Sequence, residues 1–164
     1  LAIHPLGKSP VIVDDGQMIF ESGAIVEYLC AHHGGAALVP AAGTAEHSRY
    51  LEWMHFAEGS AMTPILLNLY VARLGDAAAP LLPRIEQQLH AHFSYMESRL
   101  GTSGHFVGDA LSAADIMLSF PAEVAIAQGG GSAYPKLAAF VAACHARPAW
   151  QRALDRGGAA YAFA

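Results

Sequence analysis

"IFESGAIVEYL", Ile19–Leu29, decides how the first part of this chain folds. Ile19 and Phe20 suit a strand, whereas Ile25, Val26 and Leu29 recur at helical spacing on one face. The change of period falls at Glu21-Ser22. Ser22 has the chemistry of an N-cap, because its hydroxyl can accept from one of the free backbone N–H groups that open a helix. Counted from that cap, the third helical position is Ile25, so no acid completes a capping box. Glu21 therefore puts a carboxylate just ahead of a helix mouth whose donors remain partly free.

Upstream, "PVIVDDGQMIF" (Pro10–Phe20) holds two apolar runs split by Asp15-Gly16, the preferred pair for a tight two-residue turn, and this predicts an antiparallel hairpin. The helix is expected to run from Ser22 to about His33 and to stop at Gly34-Gly35. A hairpin with one helix is marginal in water, so further strands are expected to complete the sheet. The chain opens on Leu1 with neither an initiator Met nor a signal-peptide layout, already in the middle of a pattern. A true N-terminus further upstream is the expectation.

From Gly34 to Gly43 the composition turns to Gly, Ala and Pro, as in a linker. Beyond it the pattern is helical. Thr44 is placed to cap a helix with Glu46 in its first turn and with Tyr50, Trp53, Met54 and Ala57 on a buried stripe, and Pro64 is expected to kink it. A second helix, about Pro80 to Leu100, carries Leu82, Ile85, Leu89, Phe93, Met96 and Leu100 at steps of three and four, with Gly101 closing it. In "LSAADI", Ser112 and Asp115 form a capping box, flanked by Leu111 and Ile116 where a hydrophobic staple would pack. Pro135 is expected to open a helix with Leu137, Phe140, Val141 and Cys144 on one face, and Pro148 a last short one. The fold class is α+β: half of a small α/β unit over 1–34, a linker over 35–43, and an all-helical part over 44–164.

Hydrophobic residues make up 54% of the 164 positions and charged ones 14%, which excludes a disordered chain. The longest charge-free apolar stretch, Gly59–Ala72, falls short of the roughly 18 residues a membrane span needs, so no membrane is expected as a partner. A formal charge of -5 without a Lys/Arg block gives no footprint for nucleic acid. Nine histidines fall into no HExxH or Cys/His ligand spacing, so no metal is expected. Cys30 and Cys144 continue apolar helix faces, away from helix N-termini, and read as buried structural thiols.

The order and spacing of "HPLGKSPVIVDDG", "ESGAIVEYL", the "LVP" linker, "YLEWMHFAEGS", "FVGDALSAADI" and "RPAWQRAL" resemble the cytosolic-type glutathione transferases, with a bacterial look, over nearly the whole chain. That resemblance implies a thioredoxin-like first domain whose opening strand, helix and second strand are not found before Leu1, followed by a helical bundle. It also implies glutathione as co-substrate, no metal, a homodimer, and a cytoplasmic detoxification enzyme that joins the glutathione thiolate to small hydrophobic electrophiles. In similar proteins the Glu-Ser pair, here Glu21 and Ser22, holds the γ-glutamyl group. This fits the residues: an anion is well served at a helix N-terminus, and an ammonium needs an adjacent carboxylate. A Ser-capped helix behind a solvated Glu is the plain alternative. The resemblance further implies a cis peptide between Ser9 and Pro10, with the Ser9 backbone pairing with the cysteinyl part of glutathione like an added strand, and Lys8 near its glycine carboxylate. A solvated loop lysine and a trans proline opening an edge strand are the alternatives there.

In relatives the electrophile site lies on the first helices of the second domain. Met54, Glu58 and Met62, at four-residue steps, or His55, are the candidates here, with core packing or a dimer contact as the competing reading. The residue that stabilises the thiolate, a Tyr, Ser or Cys in the first strand-helix turn, matches no position of this chain, so the catalytic residue is unknown. A Cys there would favour a glutathione-dependent thiol reductase or peroxidase. A non-catalytic binding or regulatory protein on the same scaffold is the third reading.

Overall fold

Asp15 and Gly16 adopt φ of 45° and 80°. Two successive positive φ angles match the right-handed twist of the strands that such a turn joins. Strand β1 (Val11–Asp14) accordingly pairs antiparallel with β2 (Gln17–Phe20), with Val11 opposite Phe20 and Asp14 opposite Gln17. The computed structural model describes residues 3–157, so the outer ends of the expected domain ranges, 1–2 and 158–164, lie outside the described residues.

Helix α1 (Ser22–His32) follows β2, with Gly34 at φ 80° just past its end. The expected cap at Ser22 is corrected by one residue. Glu21 occupies the cap position with φ 73° and ψ 121°, no side chain caps the helix, and the Ile25 N–H donates to the Glu21 carbonyl at 2.9 Å. A serine cap needs extended backbone ahead of the first turn, and the left-handed turn at Glu21 pulls Ser22 into that turn instead. Thr44 shows the contrast. At φ -89° and ψ 158° it caps α2 (Ala45–Phe56), and its Oγ1 accepts from the His47 N–H at 3.1 Å.

The break in helical regularity nearest Pro64 lies a few residues before it. A π-helical turn, Ala57–Ala61, separates α2 from α3 (Met62–Val71), and Pro64 sits in the first turn of α3, just past the widened turn. The Thr63 hydroxyl donates to the Gly59 carbonyl at 3.0 Å across this junction. A 3₁₀ stretch, Ala72–Ala78, then leads to α4 (Leu82–Arg99). Gly101 ends α4, though not through a left-handed cap: Leu100 turns extended, and the Gly101 N–H donates to the His105 carbonyl at 3.0 Å. A Cβ at Gly101 would lie 3.1 Å from that carbonyl, so the close approach is what selects glycine.

Helix α5 (Ala113–Ala125) lies at the centre, packed against α1, α2, α3 and α6. Its start is fixed by the Asp115 carboxylate, which accepts from the Ser112 N–H at 2.7 Å, the Ser112 hydroxyl at 2.8 Å and the Phe106 N–H at 2.9 Å. Leu111 and Ile116, the expected staple, line one groove. Helices α6 (Pro135–His145) and α7 (Pro148–Gly157) both begin at the expected prolines.

Helix α6 has no side-chain cap of its own. Glu97 of α4 supplies one from outside, accepting from the Lys136 N–H at 3.0 Å and the Leu137 N–H at 2.9 Å. The carboxylate satisfies two orphan donors at a positive dipole end and ties two helices together. Glu97→Ala is expected to cost about 1–2 kcal/mol, read as a lower midpoint in urea with an unchanged slope. An unshifted midpoint would show that water replaces the carboxylate at no cost.

Candidate functional site at the open end of the hairpin

The register of the hairpin places the site. Because Val11 pairs with Phe20, Pro10 and Glu21 are the next positions outward on the two strands, so Ser9-Pro10 and Glu21-Ser22 share the open end. The Ser9–Pro10 peptide is cis, and Lys8, Ser9 and Pro10 are all solvent-exposed. The loop before them is anchored by His4, which sequence reasoning did not single out. Its buried ring meets Phe20 edge-on at 4.8 Å, its Nδ1 accepts from the Leu6 N–H at 3.1 Å, and its carbonyl accepts from the Gly7 N–H at 2.8 Å. The turn-forming run Pro5-Leu6-Gly7 was the available signal.

At the mouth of α1 the first-turn N–H groups have no intrahelical acceptor, and the dipole gives them a partial positive charge. Ser22 Oγ stands in this turn. Its hydroxyl donates to Glu58 Oε1 at 2.5 Å, a contact that spans 36 positions of sequence. Glu58 belongs to the π-helical turn between α2 and α3, and a widened turn of this kind often marks a functional position. Two carboxylates, Glu21 and Glu58, thus flank one helix mouth, and among the described residues neither is ion-paired with a lysine or arginine. The arrangement offers backbone donors for an anion beside acceptors for a cation, the complement of an α-amino acid.

The four candidates for an electrophile wall do not share one face. Met54 is 5% exposed and belongs to the hydrophobic core, Met62 is half-buried against that core, and His55 is exposed. The π turn breaks the four-residue step on which their grouping rests, and of the four only Glu58 touches the helix mouth.

Elsewhere, the Asp14 carboxylate at the hairpin turn accepts from Tyr28 Oη at 2.9 Å and meets His33 Nε2 at 2.7 Å. The His33 contact, then the Tyr28 hydroxyl, hold Asp14 below the usual carboxylate range, and Asp14 in turn pushes Tyr28 upward. Burial raises the Cys30 thiol and pushes Cys144 to about 11, so both are protonated thiols near neutral pH. No group of three His, Cys, Asp or Glu among the described residues is placed to hold a metal ion, and no described helix is long and apolar enough to cross a membrane.

Two family models match the chain, the N-terminal domain of glutathione S-transferase over residues 1–37 and its C-terminal domain over 79–156. The chain belongs to the glutathione S-transferase family. A curated relative, glutathione S-transferase 3 of Schizosaccharomyces pombe, is 31% identical over 133 residues, which are 73% of this chain and 54% of that protein. The chain therefore spans only about half of that transferase. A solved glutathione S-transferase from Actinobacillus pleuropneumoniae superposes with a TM-score of 0.82 at 28% identity, over 94% of this chain and 71% of that one. A sphingomonad glutathione S-transferase, solved as a complex with glutathione, gives 0.80 at 27% identity, over 97% and 78%. The α+β class expected from the sequence, a hairpin and helix ahead of a helical bundle, is the fold of these transferases.

Proposed function

We propose that this chain forms the γ-glutamyl-binding side of a glutathione transferase, with Glu21 and Ser22 holding the amino-acid head group, Ser9 and Pro10 the cysteinyl backbone, and Lys8 the glycine carboxylate. The observation that carries the proposal is the placing of these five residues at one open hairpin end, beside a helix mouth that has free donors and a carboxylate at its rim. The complex of the sphingomonad relative with glutathione supports the ligand. The division into a glutathione-binding unit over 1–34, a linker over 35–43 and a helical unit from 44 onward belongs to the same proposal.

The chemistry follows from the thiol. A free thiol near pKa 8.5 is mostly protonated at neutral pH, so catalysis requires a donor that stabilises the glutathione thiolate for attack on an electrophilic carbon. The buried, protonated Cys30 and Cys144 are unsuited to replace it as redox nucleophiles, which favours conjugation over disulfide exchange by this chain's own cysteines. Small hydrophobic electrophiles are the proposed second substrate and the cytoplasm the proposed location. A second copy is the proposed partner, supported by the exposed Leu66, Leu67, Leu69, Tyr70 and Leu74 along α3 and the 3₁₀ stretch after it.

Titration calorimetry of the complete protein against glutathione tests the reading. Glu21→Ala and Ser22→Ala are each expected to weaken binding about tenfold or more, the worth of a hydrogen bond to a charged group. Unchanged affinity in both variants removes the assignment. Conjugation assays with aryl halides and isothiocyanates, beside a disulfide reduction assay, then separate a transferase from a reductase and from a binding protein without turnover.

A further inference from the structure

Tyr50 is 1% exposed, yet its hydroxyl has no hydrogen-bond partner among the described residues. A buried hydroxyl left without a partner is destabilising, so one that persists in a folded chain calls for a reason. Tyr50 lines a cavity of about 470 Å³ between α1, the 3₁₀ turn Ala36–Leu38 and α2, within the size range of small-molecule pockets. Cys30 of α1, Val39 just past the 3₁₀ turn and Leu51 of α2 supply apolar wall, and Glu27 and His47 are its other polar groups. Glu27 is exposed and in no ion pair among the described residues.

These polar groups share one character. His47 Nδ1 stands 3.0 Å from the Pro40 carbonyl, which can only accept, so Nδ1 carries the proton of the neutral ring and Nε2 keeps its lone pair. The His47 ring also stacks on that of Tyr50, at 5.9 Å between centroids. Burial, then the charge of Glu27, pushes the Tyr50 phenol up to about 12, so the group stays neutral and its oxygen can accept. The carboxylate of Glu27 is the third acceptor, and neither lysine nor arginine lines the cavity. A protonated primary amine brings the complement, three N–H donors and one positive charge. The cavity is separate from the open end of the hairpin, since Glu27 lies roughly 7 Å along α1 from Ser22 and about 140° round it.

We infer that this cavity is a second binding site, for a small apolar primary amine whose ammonium group is held by Glu27, His47 Nε2 and Tyr50 Oη and whose hydrocarbon part lies against Cys30, Val39 and Leu51. The site does not depend on the glutathione-binding reading of Glu21 and Ser22. The Cys30 thiol, raised by burial, serves there as wall and not as a nucleophile.

The test titrates the complete protein with 2-phenylethylammonium in a calorimeter, with S-hexylglutathione present to fill the glutathione site and the space beside its sulfur. Wild type is expected to bind one equivalent per chain and to prefer the ammonium to the isosteric, uncharged 2-phenylethanol by roughly threefold or more. Glu27→Gln is expected to abolish that preference by weakening the ammonium alone. Tyr50→Phe is expected to weaken the ammonium about five- to tenfold while melting no lower than wild type, because the hydroxyl it removes has no partner in the unliganded fold. A hydroxyl bonded within the fold would instead lower the Tm. The inference is overturned by an absence of saturable binding, by binding that S-hexylglutathione prevents, by equal affinity of wild type for ammonium and alcohol, by either variant binding the ammonium as wild type does, or by a lower Tm in Tyr50→Phe. Failure of S-hexylglutathione itself to bind would count against the glutathione reading alone.

Discussion

Asp115→Ala is expected to lower stability by about 3–4 kcal/mol, which for a protein of this size is a fall in Tm of roughly 10 °C. The side chain is 0% exposed and receives three hydrogen bonds, from Ser112 N–H, Ser112 Oγ and Phe106 N–H. Truncation leaves two buried backbone donors and a hydroxyl without their acceptor, and each lost partner costs more than a hydrogen bond contributes when made. No lysine or arginine pairs with this carboxylate among the described residues, and His105 Nδ1 is 3.9 Å from Oδ2, too far for a hydrogen bond. Its charge is instead met by converging donors and by the positive end of α5, the helix on which α1, α2, α3 and α6 pack. Asp115→Asn separates the two contributions. The amide oxygen can still serve Ser112, but its NH₂ group then faces the Phe106 N–H donor, so roughly half the loss is expected to remain. Ser112→Ala, which keeps the carboxylate and its two backbone bonds, is expected to cost only about 1 kcal/mol. Thermal unfolding of the three variants checks the ranking, and a Tm for Asp115→Ala within a few degrees of wild type would show that water replaces the carboxylate at this helix start.

The same motif shows what a sequence can reveal. A capping box is local, and its partners lie three residues apart, so "LSAAD" discloses its own structure. The hairpin was legible for the same reason, since Asp-Gly states its turn chemistry, and so were the prolines that open α6 and α7. Failures came where a distant residue decides. The cap assigned to Ser22 gave way to the left-handed backbone at Glu21, which no adjacent side chain announces. Glu58 lies on a π turn and meets Ser22 across 36 positions, a contact between distant segments that helical periodicity does not encode. Glu97 caps α6 from another helix altogether. The candidate site was thus legible at the hairpin end, where register alone brings its residues together, and illegible where the helical part reaches across to it.

Trp53→Ala is expected to cost about 3–5 kcal/mol, the range for deleting a buried large aromatic. Trp53 is 3% exposed near the C-terminal end of α2 and touches three elements. Its ring meets Phe56 edge-on at 5.1 Å within α2, Tyr95 of α4 at 5.4 Å, and Phe106 ahead of α5 at 4.8 Å. Phe106 in turn packs edge-on against Phe140 of α6 at 5.3 Å, so a continuous aromatic chain through one indole joins three helices of the bundle, α2, α4 and α6, by way of the segment ahead of α5. Deletion removes apolar burial and leaves a cavity bounded by rings that cannot all close in, because the Phe106 backbone is held by Asp115. Trp53→Phe keeps part of the contact area and is expected to recover more than half of the loss. The two sites share Phe106, so their effects should not add: the double variant Trp53→Ala, Asp115→Asn is expected to lose less than the sum of the single losses.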